Sequence, residues 1–324
     1  MTEYKYDIAA IGEALIDMTP VVNDGQLAFT PNPGGAPLNL LAMAAGLGRT
    51  TAFIGKVGHD AFGRIIQATL KEQGIHDGGL ILSDAFNTTL AFVHLGNSGE
   101  RSFSFYRKES ADVMLTKEEI NWKLIDGCRI FHFGSLSLTQ EPVRTAVTEA
   151  VRYARSRGKL ITYDPNYRPL LWESEEAAKA AMLSLLPAAD ILKVSEEECR
   201  LLTGIHDLSR GAEVLSKLGP KLVLVTQGEE GASYRYGESS GHIRARRIRA
   251  VDTTGCGDAF FGAFLARFQQ SGLALDDLTY KDIEEMMSFA TSAGTLTALK
   301  HGGIPSLPDE ASVRNFMAAQ GDLR

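Results

Sequence analysis

The run A-V-D-T-T-G-C-G-D-A-F-F-G at residues 250–262 decides the fold, because it follows a strand-like segment and opens an apolar helical one. Gly255 and Gly257 let the backbone turn tightly and present N–H groups with no side chain in the way. The first turn of the helix adds unpaired donors and the positive end of the helix dipole. The run therefore predicts an anion-binding loop, in which the backbone of Gly255, Cys256 and Gly257 stabilises a phosphoryl group.

Asp258 ends this loop and lies beside the predicted donors. Those donors favour its ionised form at neutral pH, so the carboxylate can accept the proton of an attacking alcohol. A weak base is sufficient, because the protein accelerates phosphoryl transfer mostly by positioning the reactants and stabilising charge. Taken alone, Asp258 is equally consistent with a residue that only caps a helix, which is a common position for Asp.

Other phosphotransfer motifs are absent from the sequence. Gly-Lys pairs occur at residues 55–56 and 158–159, and neither is followed by Ser or Thr, which excludes a Walker A loop. No H-R-D or D-F-G is found, which excludes a protein-kinase fold. The sequence therefore carries neither of these two phosphotransfer motifs beside its anion-binding loop.

The net charge argues against nucleic acid as a partner. Lys and Arg total 33 against 40 Asp and Glu, a formal charge of −7 that repels a phosphate backbone. The sequence contains one basic cluster, which consists of Arg244, Arg246, Arg247 and Arg249. We predict that it lies on an exposed strand, where alternate side chains point to opposite faces, so the cluster does not form one basic surface. We therefore expect no nucleic-acid partner.

Cysteine and histidine spacing and hydropathy predict the compartment. The cysteines, Cys128, Cys199 and Cys256, are far apart, and the histidines form no H-x-H or H-x₃-H pair. Neither a disulfide framework nor a zinc site is expected, which fits a reducing cytoplasm. The N-terminal residues contain no apolar signal region and no run approaches 18 apolar residues, so we expect neither a standard export signal nor a membrane partner.

Strand-like and helix-like segments alternate along the chain. Apolar, β-rich runs are Ile8–Ile11, Thr51–Ile54, Arg129–Phe133, Leu160–Tyr163, Ile191–Val194 and Leu222–Thr226. Amphipathic stretches are Leu38–Leu47, Ala61–Gln73, Pro142–Ser156, Ala177–Leu186 and Gly211–Leu218, and further helices are predicted over Ala259–Gln269, Ile283–Leu299 and Glu310–Ala319. The alternation predicts an α/β fold, a three-layer αβα sandwich around a mainly parallel, Rossmann-like sheet.

Two segments break the alternation. Met18–Pro33 is rich in turn formers and β residues, and Thr88–Arg107 reads as two strands around a turn at Gly96–Gly99. They predict a small β lid, inserted at about residues 18–33 and 88–112. No Pro/Ser-rich linker or internal repeat occurs, so we expect residues 1–324 to form a single domain that carries this lid.

Further motifs precede the anion-binding loop in a fixed order. They are G-E-A-L-I-D at Gly12–Asp17, P-G-G-A-P-L-N at Pro33–Asn39, G-E-R-S-F-S-F-Y-R at Gly99–Arg107 with S-A-D at Ser110–Asp112, F-H-F-G-S at Phe131–Ser135, and Y-D-P-N-Y-R at Tyr163–Arg168. As an ordered set, they resemble the ribokinase-like (phosphofructokinase-B type) carbohydrate kinases, and among these the fructokinases. The resemblance implies that sugar is bound by Asp17, Gly34, Gly35, Asn39, Arg107 and Arg168. It also implies that Gly255–Gly257 form the anion hole and Asp258 is the base.

The same resemblance implies an ATP site with Mg²⁺. The run Lys193–Glu198 resembles the N-x-x-E element of the family, whose Glu, here Glu198, acts on the magnesium through water. Ser195 replaces the commoner Asn, and an acidic first helical turn also explains the run. The other implied nucleotide-binding residues, besides Lys193 and Ser195, are Thr226, Gly228, Gly231, Thr291 and Gly294.

The segment Lys300–Ser306 resembles the family segment that surrounds a potassium ion behind the anion hole. The implied K⁺ residues are Asp252, Thr254, Thr297, Lys300, Gly302 and Ser306. A helix end capped by Gly302, with Pro305 preventing its continuation, explains the same segment by local chain chemistry.

Cys256 departs from the family, which mostly has Ala at this position. Its backbone N–H can still donate, so the anion hole is expected to survive. Two interpretations compete for the side chain. Packed inward, the thiol is inert filler; facing the phosphate site, at a helix N-terminus, it is more reactive than an ordinary cysteine.

The resemblance predicts ATP-dependent phosphorylation of a primary sugar hydroxyl, D-fructose giving fructose 6-phosphate. A 2-keto-3-deoxygluconate kinase, a ribokinase or a nucleoside kinase stays open as an alternative, and so does a non-catalytic sugar-binding protein on a kinase scaffold. The expected partner is a small-molecule sugar. The unpaired edges of the β lid also predict a homodimer through the lid.

Overall fold

Apolar strands form a nine-stranded sheet within the residues that the computed structural model describes, which are 4–23, 26–95 and 101–321. Across the sheet the strands, numbered in chain order, are β13 (Ser239–Ile243), β12 (Ala232–Tyr236), β11 (Leu222–Thr226), β10 (Ile191–Ser195), β9 (Leu160–Asp164), β8 (Cys128–Gly134), β1 (Tyr6–Ile11), β4 (Thr51–Gly58) and β5 (Ile75–Ser83). Neighbours from β11 to β5 pair in parallel, and β12 and β13 add an antiparallel edge. The predicted, mainly parallel sheet is confirmed.

Helices cover both faces of this sheet. Along β1, Ile8 and Ala10 join one hydrophobic core while Ala9 and Ile11 join the other, as the period of two along a strand requires. The first core packs α1 (Ala36–Gly46), α2 (Ala61–Glu72), α8 (Cys256–Ser271), α9 (Tyr280–Thr297) and α10 (Glu310–Gly321). The second packs α3 (Trp122–Gly127), α4 (Val143–Ser156), α5 (Glu175–Leu185), α6 (Glu196–Thr203) and α7 (Leu208–Ser216). The three-layer αβα sandwich is thus confirmed.

A second, four-stranded sheet contains the two predicted lid segments. Its order is β3 (Gln26–Gly34), β2 (Leu15–Asn23), β6 (Leu90–Leu95) and β7 (Arg101–Tyr106). β2 pairs antiparallel with β3 and parallel with β6. The aromatic rings of Phe29, Phe92 and Tyr106 lie in edge-to-face contact on this sheet, with centroids 5.0 and 5.2 Å apart.

The bounds of the lid differ from the prediction. The first segment begins at Leu15, so Asp17 lies within the small sheet and does not end the first strand of the large one. The second segment ends as strand at Tyr106, and residues 107–112 form turns because side chains there bond to one another. The predicted turn at Gly96–Gly99 lies outside the described residues. That residues 1–324 form a single domain stays a prediction.

Three strands of the large sheet were missed, and one was predicted wrongly. β5 contains two consecutive glycines, β12 alternates buried and half-buried residues, and β13 is a mostly exposed edge strand, so none shows a continuous apolar run. The arginines at residues 244–249 are not on a strand, because β13 ends at Ile243 and the chain continues as a loop. The run G-E-S-S-G at residues 237–241 has the G-x-S-x-G spacing, but it lies in the β12–β13 hairpin and not at a strand-to-helix turn.

Among the described residues, we find no helix with the length and apolar character needed to span a membrane.

Candidate active site

A cavity of about 720 Å³ opens where the carboxyl ends of β9, β10 and β11 face the small sheet. Open α/β sheets place their ligand sites at this end of the strands. The predicted residues that line it come from all parts of the chain: Asp17, Gly35, Asn39, Arg168, Lys193, Ser195, Glu198, Thr226, Gly228, Gly255, Gly257 and Asp258. The fold therefore brings most of the predicted sugar, phosphate and nucleotide residues to one cavity.

The anion-binding loop has the backbone that its glycines predict. Gly255 precedes α8 with φ +77°, in the left-handed region that favours glycine. A Cβ at Gly257 would lie 2.9 Å from Nζ of Lys193, so a side chain there would push this cation away. The N-terminus of α8 and the Lys193 ammonium thus face the cavity together, which suits a phosphoryl group.

Asp258 lies in the first turn of α8, where the side-chain amides of two asparagines hold its carboxyl group. Its Oδ2 accepts a hydrogen bond from Nδ2 of Asn39 (2.8 Å), and its Oδ1 accepts one from Nδ2 of Asn166 (3.2 Å). The side chain is 8% exposed, and this burial raises its pKa above the usual Asp value. The Asn39 hydrogen bond and the charges of Lys193 and Arg168 act in the opposite direction.

The electrostatics of Asp258 therefore differ in part from the prediction. The sequence suggested that nearby donors favour the ionised carboxylate, and donors are indeed present. Burial opposes them and raises the pKa, because the charged form loses hydration. A carboxylate with a raised pKa is a stronger base than free Asp, which suits the proposed proton transfer. Asp258 also does more than cap a helix, since Asn39 and Asn166 are remote in sequence.

Asp17 and Arg168 line the same cavity as Asp258. Burial raises the pKa of Asp17 to about 7; the charge of Arg168 lowers it, and those of Asp258 and Asp252 raise it further. Gly34 is needed beside this carboxyl, because a Cβ there would lie 2.5 Å from Oδ2 of Asp17. The arrangement places hydroxyl acceptors and a guanidinium donor around one space, as a sugar requires.

Gly35 has a structural reason of its own. Its φ is +111°, and a Cβ there would lie 2.5 Å from the carbonyl oxygen of Glu13. Only glycine fits this position at the entry to α1. The close approach brings Asn39, one turn later on α1, into contact with Asp258.

The structure does not bring Arg107 to the cavity with the other predicted sugar residues. The guanidinium is 3% exposed and is used within the protein, donating to Oδ2 of Asp112 (2.7 Å), Oγ1 of Thr139 (2.9 Å) and the carbonyl of Leu136 (3.0 Å). Arg107 does not line the cavity described above. Its role is to fix the base of the lid, since Oδ1 of Asp112 in turn accepts bonds from Thr89 and Ser110.

Lys193 is a buried cation on β10. Its Nζ lies 3.1 Å from Oδ2 of Asp164 on the neighbouring strand β9. Burial alone would lower the pKa of Lys193, but the carboxylates of Asp164, Glu198 and Asp258 outweigh it and raise the pKa. Lys193 therefore stays protonated and can balance anionic oxygens in the cavity.

Ser195 and Glu198 form a capping box at the start of α6. The Ser195 hydroxyl accepts the Glu198 N–H (3.1 Å), and Oε2 of Glu198 accepts the Ser195 N–H (2.7 Å). Oε1 of Glu198 also accepts the N–H of Tyr167 (2.6 Å). Each oxygen thus already accepts one backbone N–H, and Glu198 lines the cavity, which fits a contact through water better than direct metal ligation. Within the described ranges no three His, Cys, Asp or Glu side chains cluster to hold a metal.

A second cavity of about 290 Å³ adjoins the first, and both are lined by Thr226, Gly228, Thr253 and Gly257. The predicted nucleotide residues Gly231, Thr291 and Gly294 line it as well. Oγ1 of Thr291 is buried and has no hydrogen-bond partner among the described residues. A Cβ at Gly294 would lie 3.0 Å from the Cys256 carbonyl oxygen, so glycine keeps this cavity open. Small residues and an unpaired hydroxyl suit a nucleobase.

The predicted potassium residues join two segments behind the anion-binding loop. Asp252 is 4% exposed; its Oδ1 accepts the N–H of Thr254 (2.8 Å) and its Oδ2 accepts the N–H of Gly302 (2.9 Å). The buried hydroxyls of Thr297 and Ser306 donate to the carbonyls of Ala293 and Gly303, while Lys300 is exposed. Asp252 thus ties the loop to the segment after α9, and the cation itself stays a prediction.

The thiol of Cys256 does not pack into a core. The residue is half-buried and lines the smaller cavity, and its Sγ lies 3.9 Å from the Asp252 carbonyl oxygen. Cys128 and Cys199 are buried, and burial raises their pKa to about 12 and about 11. The placement favours the second interpretation of Cys256, a thiol next to the phosphate and nucleotide region.

Sequence reasoning missed residues that the structure places at these cavities. Asn166 holds Asp258, and its φ of +49° is one that Asn tolerates better than most residues. Its signal was the D-P-N-Y-R run, from which only Arg168 was chosen. Arg246 lines the smaller cavity with its guanidinium over the ring of Phe316 (5.0 Å). It was assigned to an exposed strand, and no local pattern indicated otherwise.

Comparison with known proteins identifies the family. The model of the pfkB family carbohydrate kinases matches residues 5–310. Fructokinase-1 of Oryza sativa subsp. japonica is 44% identical over 317 residues, covering 96% of this chain and 97% of the relative. A fructokinase structure with bound ATP from Xylella fastidiosa superposes with a TM-score of 0.89 at 30% identity, covering 97% and 99% of the two chains. A fructokinase from Vibrio cholerae O395 bound to fructose, ADP and calcium gives a TM-score of 0.87 at 31% identity, with 96% and 99% covered. The chain therefore belongs to the pfkB family of carbohydrate kinases.

Proposed function

We propose that this kinase transfers the γ-phosphoryl group of ATP to the 6-hydroxyl of D-fructose. The observation that carries the proposal is the position of Asp258, between the anion-binding loop and a polar pocket that contains Asp17 and Arg168. Fructokinases from rice and maize, each 44% identical to this chain, support fructose as the acceptor. The related structures named with ATP or with ADP and fructose support the pair of substrates.

In the proposed mechanism, Asp258 accepts the proton of the attacking hydroxyl. Asn39 and Asn166 donate to its two oxygens and so fix the plane of the carboxylate. Asp17, Gly34, Gly35, Asn39 and Arg168 hold the remaining sugar hydroxyls, which leaves one primary hydroxyl beside the base. Positioning of this kind makes a bimolecular reaction effectively unimolecular and supplies much of the rate enhancement.

The negative charge of the transferring group would be stabilised by backbone and side-chain groups together. N–H groups at Gly255–Gly257, the positive end of α8 and the Lys193 ammonium beside Gly257 all face the cavity. Mg²⁺ bound to ATP neutralises phosphate oxygens, and Glu198 would hold that ion through water. The nucleobase would occupy the smaller cavity beside Thr226, Gly228, Gly231, Thr291 and Gly294.

We also propose that K⁺ binds behind the anion-binding loop. The support is the buried Asp252 carboxylate, which already orders Thr254 and Gly302 by hydrogen bonds to their backbone. A monovalent cation there would offset this buried negative charge and stiffen the loop. Activity measured in K⁺ and in the larger tetramethylammonium ion at equal ionic strength tests the idea; equal rates would contradict it.

A coupled ADP-release assay over a sugar panel tests the proposed function. The panel contains D-fructose, 2-keto-3-deoxygluconate, D-ribose and adenosine, with a sugar-free blank. We expect the highest kcat/KM with fructose and a product phosphorylated at the 6-position. A higher kcat/KM with another acceptor would replace fructose by that sugar, and ADP release with none would favour the non-catalytic alternative.

The other partner and compartment predictions stay predictions. A homodimer through the small sheet is checked by light scattering at micromolar concentration, where a monomer alone would contradict it. The cytoplasmic location and the absence of a nucleic-acid partner stay predictions from the sequence.

A further inference from the structure

Glu13 is a buried acid at the sugar end of the cavity. It is not among the residues predicted to bind the sugar. It lies in the loop between β1 and β2, and its side chain is 2% exposed. It lines the same cavity as Asp17, Gly35 and Asn39. A carboxyl group is rarely buried without a partner, because removing it from water is costly. The position therefore calls for an explanation.

One oxygen of Glu13 has a structural partner and the other does not. Oε1 accepts the backbone N–H of Ala36, the first residue of α1 (3.1 Å). Oε2 is buried and has no hydrogen-bond partner among the described residues. A buried polar atom in this state is strongly driven to gain a partner. Because Glu13 lines the cavity, a ligand bound there can supply one.

The charged neighbours of Glu13 cannot supply that partner themselves. Arg107 is the cation that acts on it, but all of its described hydrogen bonds go to Asp112, Thr139 and Leu136. Asp112 carries the same charge as an ionised Glu13 and is itself bound to Thr89, Ser110 and Arg107. The network at the base of the lid is therefore complete without the second oxygen of Glu13.

The protonation of Glu13 is compatible with either direction of hydrogen bonding. Burial raises its pKa to about 7, and its own backbone N–H, the Arg107 charge and the Ala36 N–H act to lower it. Near neutral pH both the acid and the carboxylate are populated. The group can thus donate to a sugar oxygen or accept from a sugar hydroxyl.

We propose that Glu13 is a further sugar-binding residue, whose Oε2 forms a hydrogen bond with the 3- or the 4-hydroxyl of the sugar. The proposal rests on the proposed function, because it concerns the acceptor of the same phosphoryl transfer. Its consequence is substrate selection. A buried polar group that pairs with a substrate hydroxyl discriminates strongly against analogues that lack this hydroxyl.

The competing explanation is that Glu13 only braces the Gly35–Ala36 turn through Oε1. Removing the brace would shift the turn and lower the affinity for every sugar by the same factor. A direct contact instead couples Glu13 to one hydroxyl of the ligand. The two explanations are separated by a cycle that changes the side chain and the sugar hydroxyl in turn.

The test uses the Glu13→Gln variant with fructose and with its 3-deoxy and 4-deoxy analogues, which keep the reacting hydroxyl. We expect the variant to raise KM for fructose by about 5- to 100-fold, the range for losing one buried hydrogen bond of a polar or charged group. The analogue that lacks the contacted hydroxyl cannot form the hydrogen bond to Glu13 even in the wild-type enzyme. For this analogue, the KM values of the wild type and the variant should therefore agree within about 2-fold. The KM for ATP should not change.

An equal factor for every sugar would overturn the proposal and leave only the brace, and an unchanged KM for all three would overturn it as well. Glu118→Gln is the control, because the Glu118 side chain is 70% exposed. If Glu13→Gln melts below the assay temperature, Glu13→Asp replaces it, since the shortened carboxyl should show the same dependence on one hydroxyl. Failure of the proposed function would be recognised separately, as absence of fructose phosphorylation by the wild-type enzyme.

Discussion

The two cavities of this kinase are built in different ways although they share a wall. The larger one is lined at its sugar end by buried carboxyls whose pKa values burial raises, among them Asp17 and Asp258. The smaller one is lined mostly by small side chains and glycine backbone, such as Gly231, Thr291 and Gly294. In the proposed function, the larger cavity would recognise the sugar by charged hydrogen-bonding groups, and the smaller one would recognise the nucleobase by shape.

The contrast predicts how each end responds to substitution. At the sugar end, a carboxyl replaced by its amide keeps its volume but loses a base or a charged acceptor, so the cost is electrostatic. At the nucleotide end, an added methyl group keeps all charges but fills space, so the cost is steric. Effects on turnover and sugar affinity should therefore exceed those on ATP affinity.

The largest effect should come from Asp258→Asn. The amide keeps the volume but cannot accept the proton, so kcat should fall by about 10² to 10⁴ fold, while the KM for ATP changes little. Steady-state kinetics with varied fructose and varied ATP measure both. Asp84→Asn is the matched control, since the Asp84 side chain is 90% exposed. A variant with near-wild-type turnover would remove Asp258 as the base.

The next effect concerns Asp17 and sharpens the electrostatic side of the comparison. Asp17→Asn should raise the KM for fructose by about 10- to 100-fold, the range for a hydrogen bond to a charged group, and affect kcat less than Asp258→Asn. The measurement is kcat and KM for fructose at saturating ATP. A KM that is unchanged would show that the Asp17 carboxyl does not contact the sugar.

The pH dependence of fructose affinity follows from the same carboxyl. The pKa of Asp17 is raised to about 7, so the group is largely neutral at pH 6 and ionised at pH 8. If the carboxylate is the better acceptor, the KM for fructose should fall as the pH rises from 6 to 8, by up to about 10-fold for one group. Asp17→Asn should reduce this dependence, and Glu13, with a pKa also of about 7, accounts for any remainder. A wild-type KM that rises with pH would contradict the assignment.

Gly294→Ala tests the steric side of the comparison. The new Cβ would lie 3.0 Å from the Cys256 carbonyl oxygen and 3.5 Å from Cβ of Phe260, which narrows the smaller cavity. We expect the KM for ATP to rise about 5- to 10-fold, at the lower end of the cost of about 1–3 kcal/mol for overpacking, with the KM for fructose unchanged. Gly46→Ala is the control, because a Cβ in that helical position meets nothing within 4 Å. Equal KM values for ATP in both variants would indicate that the nucleobase does not bind in the smaller cavity.

The same contrast explains what the sequence could and could not predict. The anion-binding loop was predictable because its glycines, helix start and Asp258 are contiguous, so local rules apply. The pairing of Asp258 with Asn39 joins residues 219 positions apart, and only the family resemblance placed both at one site. Arg107 shows the limit of such reasoning. Its motif matched, but only the fold shows that its guanidinium is used by Asp112, Thr139 and Leu136.

The nucleotide end was less predictable for a physical reason. A site made by shape has no distinctive residue chemistry, so Thr291 and Gly294 look like ordinary helix residues in the sequence. Arg246 was missed because its strand-like surroundings proved to be a loop that reaches this cavity. Charged groups that act in chemistry leave a local signal, whereas a steric wall does not.

The smallest expected effect on catalysis belongs to Cys256, which forms part of the wall of the smaller cavity. Cys256→Ala should leave kcat and both KM values within about 2-fold, because the anion-binding loop uses the backbone N–H and not the thiol. Wild-type enzyme, in contrast, should lose activity on treatment with iodoacetamide, since an alkylated Sγ would extend into the smaller cavity, and ATP should protect it. Cys128 and Cys199 are internal controls, because both are buried and burial raises their pKa. Alkylation of Cys256 with full retained activity would show that this wall tolerates added bulk, and would contradict a nucleotide site defined by shape.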